Sequence, residues 1–139
     1  AVFSAIPMGG LCETFSRRHA IRRLQQGETV LLAGGTGSPF FSTDTCAALR
    51  AHELDAEILL KATKVDGVFD SDPETNPGAK KYDRLTYEKM ISDRLNVMDL
   101  TAASLCMQSN LPILVFQLSK PGNLARAVRG EHVGTAVGG

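Results

Sequence analysis

The sequence carries no excess of either charge: 15 lysines and arginines are matched by 15 aspartates and glutamates. That balance removes the electrostatic argument for a nucleic-acid partner or an anionic membrane surface. No apolar run approaches the roughly 18–20 residues that a membrane span requires. Only three cysteines occur, Cys12, Cys46 and Cys106; they lie far apart and none stands in a CxxC pair. An odd, dispersed set argues against a disulfide framework or a zinc site and predicts buried, reduced thiols in a cytoplasmic protein. His19, His52 and His132 are as scattered, so they are read as structural or exposed, and no metal-ligating cluster is expected. The opening AVFSAIPMGG has no basic stretch followed by a long apolar one, and is not expected to act as a signal peptide. What remains is 43% apolar and 22% charged, the composition of a globular protein. A length of 139 residues suits one domain with a core of its own.

Strand-like and helix-like segments alternate along the chain. Residues 2–6 read as a short strand ended by Pro7. Residues 14–26 read as a helix with Ile21 and Leu24 on one face and Arg17, Arg18, Arg22 and Arg23 mostly on the other, a solvated face. Gly27 stops it. Residues 28–33 read as a buried strand by their apolar continuity. Residues 44–54 read as a helix and 56–63 as the next strand. The stretch 64–88, KVDGVFDSDPETNPGAKKYDRLTYE, is too long for a plain connection and is expected to be functional, mobile or both. Two helices over 87–95 and 100–109 follow, then a strand over 113–116. A last helix from about Pro121 and Asn123 has Leu124, Ala127 and Val128 on its apolar face, and 135–137 form a final edge strand. The alternation predicts an α/β, three-layer sandwich with a mostly parallel sheet flanked by helices.

The most unusual stretch is residues 33–45, AGGTGSPFFSTDT, between a strand and a helix. In open parallel sheets ligands bind beyond the carboxyl ends of strands. Glycines at 34, 35 and 37 allow close backbone approach. The hydroxyls of Thr36, Ser38, Ser42 and Thr43, with the free amides at the start of the next helix, suit an anion, and phosphate is the natural guest. Neither common phosphate motif applies: no glycine is followed five positions later by Gly-Lys, and Gly35-x-Gly37 meets Phe40 where the dinucleotide fingerprint needs a third glycine. The plain alternative is a strand–loop–helix turn with Thr43 as N-cap. Phe40 and Phe41 are either anchors into the core or a wall for a base or ribose.

Taken together, GGTGSPFFSTDTCAALRAHELDAEILLKATKVDGVFDSDP and LNVMDLTAASLCMQSNLPILVFQLSKPGNL resemble the bacterial uridylate (UMP) kinases of the amino-acid-kinase superfamily. The resemblance runs over nearly the whole chain, with several motifs in the family's order. It implies γ-phosphoryl transfer from ATP, with Mg²⁺, to UMP, giving UDP and ADP in pyrimidine nucleotide biosynthesis. Thr36, Gly37, Ser38, Pro39, Phe40, Phe41, Ser42 and Thr43 correspond to the UMP-binding segment, within a loop spanning 36–44. Lys61, Thr63, Lys64, Phe69 and Asp72 correspond to an ATP-binding loop spanning 61–73. Asp99 in the MDL motif and Asp44 correspond to carboxylates near the transferring phosphate. Two departures stand out. Ser38 occupies a position that is often Asn, and the family's glycine-rich strand–loop with its phosphate-binding lysine does not precede Ala1. The chain is therefore expected to be the carboxyl-terminal portion of an incomplete amino-acid-kinase fold, forming a single domain and inactive by itself. The resemblance further implies a cytoplasmic homohexamer under allosteric control, with GTP as an effector.

The acceptor in such a reaction is a phosphate oxygen whose second pKa is about 6, so no general base is needed. Catalysis reduces to positioning and charge stabilisation. A carboxylate beside a phosphate is repulsive by roughly 4 kcal/mol at 4 Å and an effective dielectric of 20. Asp44 and Asp99 are therefore expected to hold Mg²⁺ or orient a lysine if they line the transfer site, and merely to cap helices if they do not. Lys61 and Lys64 are the expected cations near the β- and γ-phosphates, or else solvated. Pro39, lacking an amide proton, shapes its loop rather than donating to a ligand. Two other functions share these motifs: a kinase with a carboxylate acceptor, against which the TGSPFFSTD loop argues, and an inactive nucleotide-binding regulatory or assembly module.

Overall fold

A computed structural model describes residues 1–95 and 97–139. Its strands fall into two hydrogen-bonded sheets. The first contains β1 (Val2–Ser4), β2 (Glu13–Thr14) and β3 (Leu31–Ala33), with β1 in the middle and both neighbours parallel to it. Helix α1 (Arg17–Gln25) connects β2 to β3, the crossover that parallel strands require.

The second sheet has the order β4 (Leu59–Thr63), β6 (Ile113–Gln117), β7 (Thr135–Val137), β5 (Arg84–Leu85). The β4–β6 and β5–β7 pairs are parallel, whereas β6 and β7 run antiparallel. Strand β6 reads Ile-Leu-Val-Phe without polar alternation because both its faces are buried. Side chains alternate across the pleat, so Ile113 and Val115 join one cluster and Leu114 and Phe116 the other.

The first cluster lies under three helices, α2 (Thr43–Glu53), α3 (Tyr87–Ser92) and α4 (Leu100–Gln108). Helix α2 buries Thr45, Ala48 and Ala51, and α4 buries Ala102, Ala103 and Cys106. These are small side chains, so the two helices pack against each other closely. Tyr87 of α3 is buried and its hydroxyl donates to the Leu111 carbonyl. The second cluster is covered by α5 (Asn123–Val128) through Ala127, with Val133 beside it. Helices on both faces of this sheet make the three layers that alternation predicts.

Five sequence expectations change. The strand expected to be buried over 28–33 shortens to β3, whose residues are all exposed. Apolar continuity cannot distinguish a strand covered on both faces from one left bare. Strand β7 is not an edge strand, because it lies between β6 and β5. Helix α5 buries Ala127 but leaves Leu124 and Val128 exposed, so its apolar stripe is only partly used. The N-cap of α2 is Ser42, not Thr43. Of the thiols, Cys106 is buried, whereas Cys12 and Cys46 are partly exposed.

Candidate functional site

The loop between β3 and α2 is held by its own short-range bonds. The Gly37 amide donates to the Gly34 carbonyl at 3.1 Å, and the Ser38 amide donates to the Thr36 hydroxyl at 3.1 Å. Phe40 sits in the left-handed region, φ 68°, with its ring fully in solvent. Phe41 is 56% exposed. Neither ring anchors into the core. A bulky residue at positive φ is a backbone outlier, costing on the order of 1–3 kcal/mol and typical of ligand clamps.

The loop ends at a polar hub. The Ser42 hydroxyl accepts from the Thr45 amide at 2.9 Å, capping α2, and donates to Asp99 Oδ2. Asp99 is itself the N-cap of α4: Oδ1 accepts from the Ala102 amide and from the Thr45 hydroxyl, each at 3.0 Å. One carboxylate thus fastens the starts of two helices together. Burial pushes the Asp99 carboxyl up, but the hydrogen bonds from Ser42, Ala102, Thr45 and Thr101 outweigh it and hold it below the usual carboxylate range.

Asp44 takes a different partner. Both of its oxygens contact Lys61 Nζ, at 2.5 and 2.6 Å. Lys61 lies in the middle of β4, so the pair links the first turn of α2 to the sheet. Asp44, Lys61 and Met98 line a pocket of about 190 Å³. Lys61 also borders a larger cleft of about 590 Å³, lined by Thr63, Phe69 and Asp72. That volume lies within the ordinary range of small-molecule sites. The Thr63 hydroxyl folds back to donate to the Val65 carbonyl at 2.7 Å, and Asp72 Oδ1 accepts from the Glu74 amide at 2.9 Å in an Asx turn.

The structure therefore brings Asp44, Lys61, Thr63, Phe69 and Asp72 to two adjoining cavities that share Lys61. Lys64 is exposed and lines neither. Thr36, Gly37, Ser38, Pro39, Phe40, Phe41, Ser42 and Thr43 also line neither; they form the rim that runs into the hub. Of the two carboxylates only Asp44 meets a lysine, Lys61; Asp99 is held by two hydroxyls and an amide and has no lysine beside it among the described residues. Arg94 borders the larger cleft and was missed in the sequence. Its position just after α3, at φ 52°, gives it no periodic or motif signal.

No group of three or more His, Cys, Asp or Glu able to hold a metal occurs among the described residues. Mg²⁺ usually binds through one or two carboxylates together with substrate phosphates. With Asp44 bonded to Lys61, the described residues fit an ion held chiefly by substrate phosphates and not one held in a protein cage. Among the described residues, no helix is long and apolar enough to cross a membrane.

The sequence pattern described as the amino acid kinase family matches residues 5–117. A curated relative, the chloroplastic uridylate kinase PUMPKIN of Arabidopsis thaliana, is 54% identical over 138 residues, covering 99% of this chain and 41% of that protein. The crystal structure of UMP kinase from Bacillus anthracis superposes with a TM-score of 0.95 at 39% identity, covering 99% of this chain and 57% of that one. UMP kinase from Ureaplasma parvum gives 0.93 at 36% identity, covering 99% and 59%. The chain thus spans less than two thirds of each of these relatives. It belongs to the amino acid kinase family and is similar, within it, to uridylate kinases.

Proposed function

We propose that this chain supplies the donor-nucleotide cleft and part of the acceptor site of a UMP kinase, which transfers the ATP γ-phosphoryl to UMP. The observation that carries the reading is the placement of Lys61, which borders both cavities. Phosphoryl transfer needs one cation able to stabilise charge between donor and acceptor. Lys61 stands on a strand, a rigid support, and Asp44 holds its ammonium in place. Thr63, Phe69 and Asp72 are the donor-side contacts. The exposed rim 36–43, with Phe40 and Phe41, receives the UMP. Asp99 acts through Ser42, fixing where that rim enters α2. Mg²⁺ bound with ATP would be held chiefly by the triphosphate and would neutralise part of its charge; Asp44, paired through both oxygens with Lys61, would orient that lysine.

The test is ADP release by the full-length protein with UMP, CMP or acetylglutamate as acceptor. UMP is expected to be strongly preferred. Lys61→Met is expected to lower kcat by about 10²–10³, the usual cost of one charge-stabilising donor. Preference for acetylglutamate, or full activity in the variant, would overturn the reading. The short span relative to known uridylate kinases supports a second statement: these 139 residues alone bind nucleotide weakly and do not turn over. UDP formation by the purified chain would refute it. Hexamer formation, GTP response and a cytoplasmic location belong to the same reading. The free cysteines suit a reducing compartment, and the plant relative's name places that protein in the chloroplast.

A further inference from the structure

The loop that carries Phe69 and Asp72 leaves the sheet after β4 and returns at β5. Its neck is a short antiparallel ladder. The Tyr82 amide donates to the Val68 carbonyl at 2.9 Å, Phe69 bridges Lys81, and the Asp70 amide donates to the Lys80 carbonyl at 3.0 Å. One backbone group on each side of this ladder points away from it, the Val68 amide and the Tyr82 carbonyl. Both meet the same side chain, Thr135, the first residue of β7. Its hydroxyl accepts from the Val68 amide at 2.9 Å and donates to the Tyr82 carbonyl at 2.5 Å.

Thr135 is completely buried, so neither backbone group has water as an alternative partner. The local backbone is shaped around this tie. A Cβ on Gly67 (φ +118°) would stand 2.5 Å from the Thr135 hydroxyl oxygen. A Cβ on Gly134 (φ +66°) would collide with the Val115 carbonyl. Only glycine at both places lets the neck and β7 approach closely enough to share one hydroxyl.

We propose that Thr135 is a positioning residue for the donor nucleotide: by tying both sides of the 68–82 neck to an inner strand of the sheet, it holds Phe69 and Asp72 at the cleft. This rests on the reading of that cleft as the ATP site. Thr135 touches no residue of the acceptor rim, so its effect is selective for the donor.

The experiment compares Thr135→Val and Thr135→Ser in the full-length protein. The valine keeps the branched shape without the hydroxyl; the serine keeps the hydroxyl. Thr135→Val is expected to raise the KM for ATP at least tenfold, with the KM for UMP and kcat at saturating ATP within twofold of wild type. Thr135→Ser is expected to stay within twofold throughout. Should the valine variant not fold, Thr135→Ala removes the same bonds without a second methyl beside the Tyr82 carbonyl, and the same donor-selective rise is expected. An unchanged KM for ATP, an equal rise for both nucleotides, or a serine variant as impaired as the valine would overturn the proposal. Hydrogen exchange separates the two levels of the argument. ATP protection of residues 63–73 with no effect of the hydroxyl sinks the tie alone. No ATP protection of those residues in the wild-type protein sinks the reading of the cleft and the tie with it.

Discussion

The two sheets of this chain are built from similar apolar strands and buried to very different degrees. In the second sheet, Ile113, Val115 and Phe116 of β6 are at most 2% exposed. In the first, Leu31 of β3 is 61% exposed and Val2 of β1 is 46% exposed. Both hydrophobic clusters draw their members from α2 onward, and neither includes a residue of the first sheet. The first sheet is fixed mainly by ladder bonds, by Phe3 with the edge-on ring of Phe15, and by the Arg23 bridges to Glu13 and Glu28. Exposed bridges of that kind contribute roughly 0–1 kcal/mol. The loop 36–43, proposed above to receive the acceptor, follows the more exposed sheet, and the proposed donor loop follows the well-packed one.

The sharpest test of this contrast is a pair of truncations. Phe116→Ala is expected to cost about 3–5 kcal/mol, the usual loss for a buried aromatic ring. Leu31→Ala, with most of its side chain already in water, is expected to change stability by about 0.5 kcal/mol or less. Urea unfolding midpoints compare them, and equal losses would erase the distinction between the sheets. Asp99→Ala comes next, at about 1 kcal/mol for a lost N-cap, and more if Ser42 and Thr45 are left without an acceptor. It should also loosen the rim at its α2 end, seen as faster exchange of the Thr45 and Ala102 amides.

Acid titration isolates that hub. The Asp99 carboxyl is held below its ordinary value in the folded chain. Its contribution is therefore complete above the unfolded value of about 3.9 and disappears as pH falls through the lower folded value. Stability should drop on acidification below about pH 4, and Asp99→Asn should flatten the part of that drop due to this group. The smallest expected effect is chemical. Burial pushes the Cys106 thiol up to about 11, whereas Cys12 and Cys46 are partly exposed. Mild alkylation should label Cys12 and Cys46 well before Cys106. Early labelling of Cys106 would mean that the second sheet opens as readily as the first.

The order of the longer elements was legible in the sequence because each keeps one period throughout, whereas the two-residue strands β2 and β5 were not. The helix over residues 44–54 and the strand over 113–116 both fall within a residue of their observed limits. Burial was not legible. Leu31 and Leu32 read as core for the same reason that Leu114 does, and only the surrounding layers tell them apart. The motif residues were visible, but their partners were not. Asp44 meets Lys61 across 17 residues, and Ser42 meets Asp99 across 57. Such pairings arise from the way α2 docks on β4 and on α4, which no local pattern encodes. Thr135 carried no signal at all, since its task depends on two backbone groups more than 50 residues away.

The strand β7 has a consequence for how the molecule is made. It follows β4, β5 and β6 in the chain, yet it lies between β6 and β5. Domains tend to fold as units during synthesis, but here the sheet is laid down from its margins inward. A nascent chain that stops short of Thr135 has β5 without a neighbour and the 68–82 neck without its shared hydroxyl. A cut ahead of Thr135 takes out an inner strand of the sheet, so it should be tolerated far less than a cut in an exposed loop.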